Sequence, residues 1–309
     1  MAIVKRVLLF IVVNLLVIAM ISIIMSLFGI HGYLKARGMD YKALAIFCVL
    51  WGTGGAFISL MISKIMAKRG MGLQVIDPAT AQGEQADLVR MIHRLAERSG
   101  LQKMPEVGIY DSPEMNAFAT GPTKNNSIVG VSTGLLANMR PNEVEAVLGH
   151  EISHVGNGDM VTMTLVQGII NSFALFLSRI VAFIIASVLS GQKQSEGGGQ
   201  GALSGGAFYL LTFVFDIAFT LLGSIVVAAF SRWREYRADA GGARLTGKQN
   251  MIAALQRLKE GVQAGLPQDN RVPSMNILKI NPARSIANLF ATHPPIEKRI
   301  ERLMGMPIK

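Results

Sequence analysis

A single cysteine, Cys48, in a chain of 309 residues excludes an intramolecular disulfide, and its place inside an apolar run marks it as a small buried hydrophobe. Charge is also scarce. Only 16% of residues are Asp, Glu, Lys or Arg against 50% hydrophobic, and the mean hydropathy of +0.40 argues against an ordinary water-soluble globule. Acid is the scarcer sign, 20 residues against 30 basic ones, for a net charge of +10 and a pI near 9.9. The Lys and Arg residues scatter around apolar segments and do not gather on one soluble face, so the excess of base points to membrane topology and away from nucleic acid.

What the chain has in quantity is long apolar runs. The first, from about Val7 to Ile30 behind Lys5 and Arg6, can cross a hydrocarbon core of roughly 30 Å. It lacks a small-residue cleavage site before the polar His31 to Tyr41 loop, which predicts a retained anchor and not a cleaved signal. The second, from about Ala43 to Ile62 with Lys64, Lys68 and Arg69 behind it, completes a transmembrane hairpin over residues 1–70. Two further apolar helices are expected at about 161–189 and 207–230, joined by a Gly/Ser/Gln-rich linker over 190–206, and they interrupt a domain that spans 71–309. Gln167, Asn171 and Arg179 in the third run are costly against lipid and should face protein, water or headgroups. Four spans put Lys5, Arg6, Lys64, Lys68, Arg69, Arg232, Arg234 and Arg237 on one side, against Lys35, Arg37, Lys42 and Lys193 on the other. The positive-inside rule then predicts a cytoplasmic bulk.

Between the hairpin and the third run the composition is that of a globular layer. Leu88, Val89, Ile92 and Leu95 recur at helical spacing, with Gly100 as a stop. Strand-like runs follow at Glu106 to Tyr110, Met115 to Thr120 and Ser127 to Ser132, separated by Ser-Pro, Gly-Pro and Asn-Asn, which predict turns and a small antiparallel sheet. A helix then starts near Pro141 and ends at Gly156, Asn157 and Gly158.

That helix carries His150-Glu-Ile-Ser-His154. Residues four apart share a helical face, so both imidazoles can reach one ion, while Val144, Leu148, Ile152 and Val155 form a separate stripe that buries the helix. Catalytic zinc keeps three protein ligands and an open position, and Glu151 beside a ligand is suited to take a proton from water, which makes it the expected general base. His31 and His93 have no partner at ligand spacing and are set aside. For the third ligand the best candidate is Glu235, with Asp239 one turn later on the same face, in Ser-Arg-Trp-Arg-Glu-Tyr-Arg-Ala-Asp-Ala. Read alone, the two carboxylates could simply pair with Arg232, Arg234 and Arg237 in a charged juxtamembrane turn.

The amino-terminal apolar hairpin, Asn116-Ala117-Phe118-Ala119, the His150 to His154 motif, Glu235 with Asp239, and His293-Pro-Pro followed by Arg299 occur in one order. In this the chain resembles the HtpX family of membrane-bound bacterial heat-shock proteases, which are related to the prenyl-protein-processing zinc endopeptidases. The resemblance covers most of the chain. It implies an α+β fold: a helical integral-membrane protein with a thermolysin-like (zincin) cytoplasmic metalloprotease domain and a small antiparallel sheet. It implies one zinc ion per chain, held by His150, His154 and Glu235, with Asp239 orienting a zinc-bound imidazole. It also implies that Asn116 to Ala119 is an edge strand offered to substrate. His293 and Arg299 become contacts for the developing oxyanion, or else Thr292 to Pro295 starts the last helix and Arg299 pairs with an acid.

The expected reaction is hydrolysis of internal peptide bonds beside the bilayer of a bacterial inner (plasma) membrane, with misfolded membrane proteins as substrates in stress-related quality control. Two rival readings are processing of lipid-modified proteins, for which four spans enclose too little space, and a non-catalytic zinc scaffold, which would not need Glu151. Oligomeric state is not legible.

Overall fold

The computed structural model describes residues 40–191, 205–266 and 289–307, together with Ile23 and Ser26. Apart from Ile23 and Ser26, the first apolar run with Lys5, Arg6 and His31, and residues 192–204 of the linker with Lys193, lie outside the described residues. In chain order the described elements are α1 (Tyr41–Gly70), β1 (Gln74–Ile76), α2 (Gly83–Arg98), β2 (Glu106–Tyr110), β3 (Ala117–Thr123) and β4 (Asn126–Ser132). There follow α3 (Thr133–Asn138), α4 (Pro141–Asn157), α5 (Asp159–Gly191), α6 (Gly205–Thr246), α7 (Lys248–Gln263) and α8 (Ile296–Met304). By length and composition α1, α5 and α6 can each cross a membrane.

The chain divides into two compact units, Met1–Ile58 with Thr164–Val227, and Ser59–Met163 with Ala228–Lys309, so the grouping cuts across a linear division at residue 70. In the first unit Ala45, Cys48 and Val49 of α1 pack with Phe176 and Ile180 of α5. Leu50 and Trp51 of α1 and Tyr209, Leu210 and Phe213 of α6 stay exposed, the outward apolar face that lipid accepts and water does not. The polar residues of α5 find partners within this unit. Gln167 Nε2 donates to Asn171 Oδ1 at 2.7 Å, Arg179 Nη1 lies 3.4 Å from Asp216 Oδ1, and the Ser178 hydroxyl donates to the same carboxylate.

The second unit is built on a four-stranded sheet in the order β1-β2-β4-β3. It is mixed, which corrects the antiparallel expectation: β1–β2 and β3–β4 are antiparallel, but β2 pairs with β4 in parallel, Val107 opposite Val129. The cause is burial. β4 is buried from Ser127 to Ser132 and takes the centre, while the partly exposed β3 is left at the edge. Gly121-Pro122 is not a turn but an irregularity inside β3, where the register shifts between Thr120 and Thr123 and Gly121 adopts φ +145°. An edge strand tolerates such a proline because no neighbour needs its missing N–H. The hairpin reverses at Lys124-Asn125 instead.

Leu88, Val89, Ile92 and Leu95 of α2 and Val144, Leu148, Ile152 and Val155 of α4 are all buried in one core with Val129, Val131, Met251 and Leu255. α4 starts at Pro141, and Glu143 Oε2 accepts the Arg140 N–H at 2.8 Å, which satisfies a donor left over in the first turn. At the end of α1, Lys64 and Lys68 clasp Glu106 of β2 at 2.8 and 2.7 Å. Burial would raise the Glu106 carboxyl, but the hydrogen bonds from Lys64 and Lys68 outweigh it and hold it below the usual range.

Candidate active site

The helical spacing puts His150 and His154 one turn apart on α4, both buried, with their Nε2 atoms 3.1 Å from each other. Glu235 arrives from α6, which runs without a break from its apolar stretch through Glu235 and Asp239 to Thr246. The close approach of α6 to α4 depends on two glycines. A Cβ at Gly241 would stand 2.5 Å from Ser153 Oγ, and one at Gly242 would stand 3.0 Å from the His150 backbone nitrogen. With no side chains there, Glu235 Oε2 comes to 3.4 Å from His150 Nε2 and Oε1 to 3.2 Å from His154 Nε2.

Each ring is oriented from behind. His150 Nδ1 lies 2.9 Å from Asp239 Oδ1, and Asp239 in turn accepts from Arg299 Nε at 2.8 Å and Nη2 at 2.6 Å. His154 Nδ1 lies 2.6 Å from Asp159 Oδ2. Sequence reasoning missed Asp159. Its only local signal is an acid directly after the helix stop: Gly158, at φ +73°, turns the chain so that the next residue comes back to the ring one turn before it. Arg299, which the sequence offers as an oxyanion contact, has its guanidinium engaged with Asp239. His293 sits with Nδ1 2.8 Å from Glu235 Oε2, just before α8 opens at Ile296. Among the described residues His93 bonds to the Pro105 carbonyl, at 3.2 Å.

These contacts test whether a metal ion suits the donors. With each Nδ1–H given to a carboxylate, the two Nε2 atoms meet Glu235 with lone pairs only, and among the described residues the buried Glu235 Oε1 has no hydrogen-bond donor. Added positive charge makes that convergence stable. A proton bridges one pair of atoms, whereas a cation serves two imidazoles and a carboxylate together, and the three donor atoms lie within 4.8 Å of one another. The surrounding field agrees. Burial would lower His150, but Asp239 and Glu235 outweigh it and lift the imidazole to about 10. Burial would likewise raise Glu235, yet the imidazoles of His150, His154 and His293 around its oxygens hold it well below the usual carboxylate range. The residues present fit a metal.

The donors open on a cleft of about 540 Å³ whose lining includes Glu151, His293, Arg299 and Asn116 to Ala119. Of the candidate site residues, His150, Glu151, His154, Glu235, His293, Arg299 and Asn116 to Ala119 all line this cleft, and Asp239 stands behind His150. The edge β3 forms part of its wall. The Asn116 carbonyl accepts the Ser132 N–H at 3.0 Å, and strand alternation from there turns Phe118 toward β4 and the backbone of Ala117 and Ala119 toward the open edge.

Comparison with known proteins shows the family. Residues 82–306 match the model of peptidase family M48. A protease HtpX of Shewanella sp. (strain W3-18-1) is 50% identical over 302 residues, which cover 97% of this chain and 99% of that protein. A protease HtpX of Shewanella pealeana is 49% identical over 300 residues, with the same coverage of both chains. Among solved structures, the crystal structure of S. mikatae Ste24p is similar at a TM-score of 0.59 and 20% identity, over 93% of this chain and 66% of that one. That likeness concerns the fold alone.

Proposed function

Because the chain belongs to peptidase family M48 and, within it, to the HtpX proteases, it is a membrane-embedded metalloprotease acting on peptide bonds, and we propose that it is a zinc endopeptidase with Glu151 as general base. The observation that carries the reading is the convergence of His150, His154 and Glu235 at a cleft that also contains Glu151 and an open strand edge. Two imidazoles and one carboxylate are the donor set of a zinc site that keeps a position open for chemistry.

Bound there, the ion would supply Lewis acidity toward a carbonyl oxygen and lower the pKa of water toward roughly 7. The protein's own groups do the rest. Asp239 and Asp159 hold His150 and His154 in the tautomer that points Nε2 at the ion. An extended substrate pairs with the outward N–H and C=O groups of Ala117 and Ala119, a mode that reads main chain and so accepts many sequences. Glu151 takes the proton of the attacking water on its carboxylate and returns it to the leaving nitrogen. His293, partly exposed at the rim beside Glu235, is placed to donate toward the developing oxyanion, while Arg299 keeps Asp239 ionised and oriented. Lys64, Lys68 and Arg69 after α1 and Arg232, Arg234 and Arg237 after the apolar part of α6 support a cytoplasmic site at a bacterial inner membrane. Unfolded stretches of membrane proteins are then the substrates within reach.

The test is cleavage of an unfolded model protein by the full chain in detergent, comparing wild type with Glu151→Gln and measuring zinc in both. Wild-type cleavage with a zinc-loaded, inactive variant is the expected result. Zinc-loaded samples that both cut, or a protein that takes up no zinc, would overturn the assignment.

A further inference from the structure

A second cavity, of about 580 Å³, lies behind the cleft and shares Tyr236 and Arg299 with it. Its walls come from the ends of α2 and α4, from the stretch of α6 between Trp233 and Leu245, and from α8. The charge there is one-sided. Arg98, Arg237, Arg244 and Arg302 line it and are exposed, and among the described residues none of them forms an ion pair or hydrogen bond with a carboxylate. The one acid in the lining, Asp239, is buried and already neutralised by Arg299.

Two of the arginines are held in place. The guanidinium of Arg237 stacks on Trp233 at 4.9 Å from the ring centroid, and that of Arg302 on Tyr236 at 4.5 Å. Stacking occupies the face of a guanidinium and leaves its N–H edge free, and that edge is the part that matches phosphate oxygens two at a time. Four like charges around one cavity repel one another, and an anion relieves that repulsion while supplying acceptors. Trp233 and Arg237 stand on the first turns of α6 beyond Phe230, where its apolar stretch ends. A tryptophan beside arginines at that point suits the headgroup layer of a bilayer.

We propose that this cavity binds an anionic phosphate group, as carried by an acidic lipid headgroup or by free phosphate. The occupant would sit against Arg299, the side chain that also holds Asp239 behind His150, so the lipid surroundings have a direct line to the back of the metal site.

Trp51→Phe makes Trp233 the sole tryptophan and hence a reporter inside the cavity. The full chain carrying that change, in neutral detergent, is titrated with phosphatidylglycerol, with phosphatidylcholine of the same acyl chains, and with inorganic phosphate, while Trp233 fluorescence is followed. Phosphatidylglycerol is expected to give a saturable change that phosphatidylcholine does not. Arg244→Gln with Arg302→Gln should shift its midpoint by about tenfold or more, and Arg69→Gln, a charge lost away from the cavity, should leave it in place. Saturation by inorganic phosphate at similar concentration would assign the site to the free anion; saturation by the lipid alone assigns it to the headgroup. Equal responses to the two lipids with none to phosphate, or an unchanged midpoint in the double variant, would overturn the proposal. Arg98→Gln serves as an independent variant should the double one fold poorly, and an unchanged midpoint in it counts equally against the site.

Discussion

His154 Nδ1 lies 2.6 Å from Asp159 Oδ2, and Asp159 is the first residue of α5, so a proposed metal ligand on one helix is oriented by the residue that opens the next. The pair is buried on both sides. Asp159→Asn would present an amide N–H to Nδ1 and favour the tautomer whose proton sits on Nε2, where the metal belongs. Zinc affinity, measured by competition with a chelator, should fall by about 10- to 100-fold, while Asp159→Glu should recover part of the loss. An Asn variant with wild-type affinity would sink the role.

Gly241 sits where any Cβ meets Ser153 Oγ at 2.5 Å and Ser153 Cβ at 2.8 Å. Gly241→Ala must push α6 away from α4, and overpacking of this kind costs about 1–3 kcal/mol. Because Glu235 and Asp239 ride on the same helix, the variant should lose metal affinity along with thermal stability. Stability lost with affinity intact would show that the site does not depend on this helix crossing.

Asp239 and Arg299 form a buried pair, and removing one partner leaves the other charge uncompensated. Asp239→Asn should therefore cost about 3–5 kcal/mol. The pH dependence has a definite sign. Burial would raise the Asp239 carboxyl, but the charge and hydrogen bonds of Arg299 outweigh it and hold it below its usual range. Its folded value lies below the unfolded value of about 3.9, so the stabilisation is present above that pH and is lost as pH falls toward the lower, folded value. Unfolding midpoints measured from pH 6 downward should drop more steeply for wild type than for Asp239→Asn. Parallel curves would contradict the depressed carboxyl.

On the open edge of β3 the backbone N–H of Ala119 points away from β4. Ala119→Pro removes that donor without removing a ladder bond, so folding and zinc content should be retained while kcat/KM on an unfolded protein falls by about tenfold or more, the worth of one or two main-chain hydrogen bonds. Undiminished turnover would mean that substrate does not pair with this strand.

Much of the site is legible from the sequence because its decisive pattern is local. His150 and His154 at helical spacing, the separate apolar stripe of α4, and the continuation of the last apolar run through Glu235 to Asp239 all follow from period and composition. The sheet shows where that reasoning ends. Its three longer strands can be read from the runs, but the parallel pairing of β2 with β4 and the place of Gly121-Pro122 inside β3 depend on which strand is buried on both faces, a property of the assembled layer.

By itself, then, the sequence determined that this is a membrane protein with a His-Glu-x-x-His helix and a distant carboxylate pair, because hydrophobic length and helical periodicity are properties of contiguous residues. Only the tertiary structure decided what those groups touch. Arg299 turns to Asp239, Asp159 comes back onto His154, and four arginines from three helices surround one cavity. These depend on two glycines that let helices meet and on one αL turn at Gly158, and the partners lie from 5 to 60 residues apart, which no local pattern encodes.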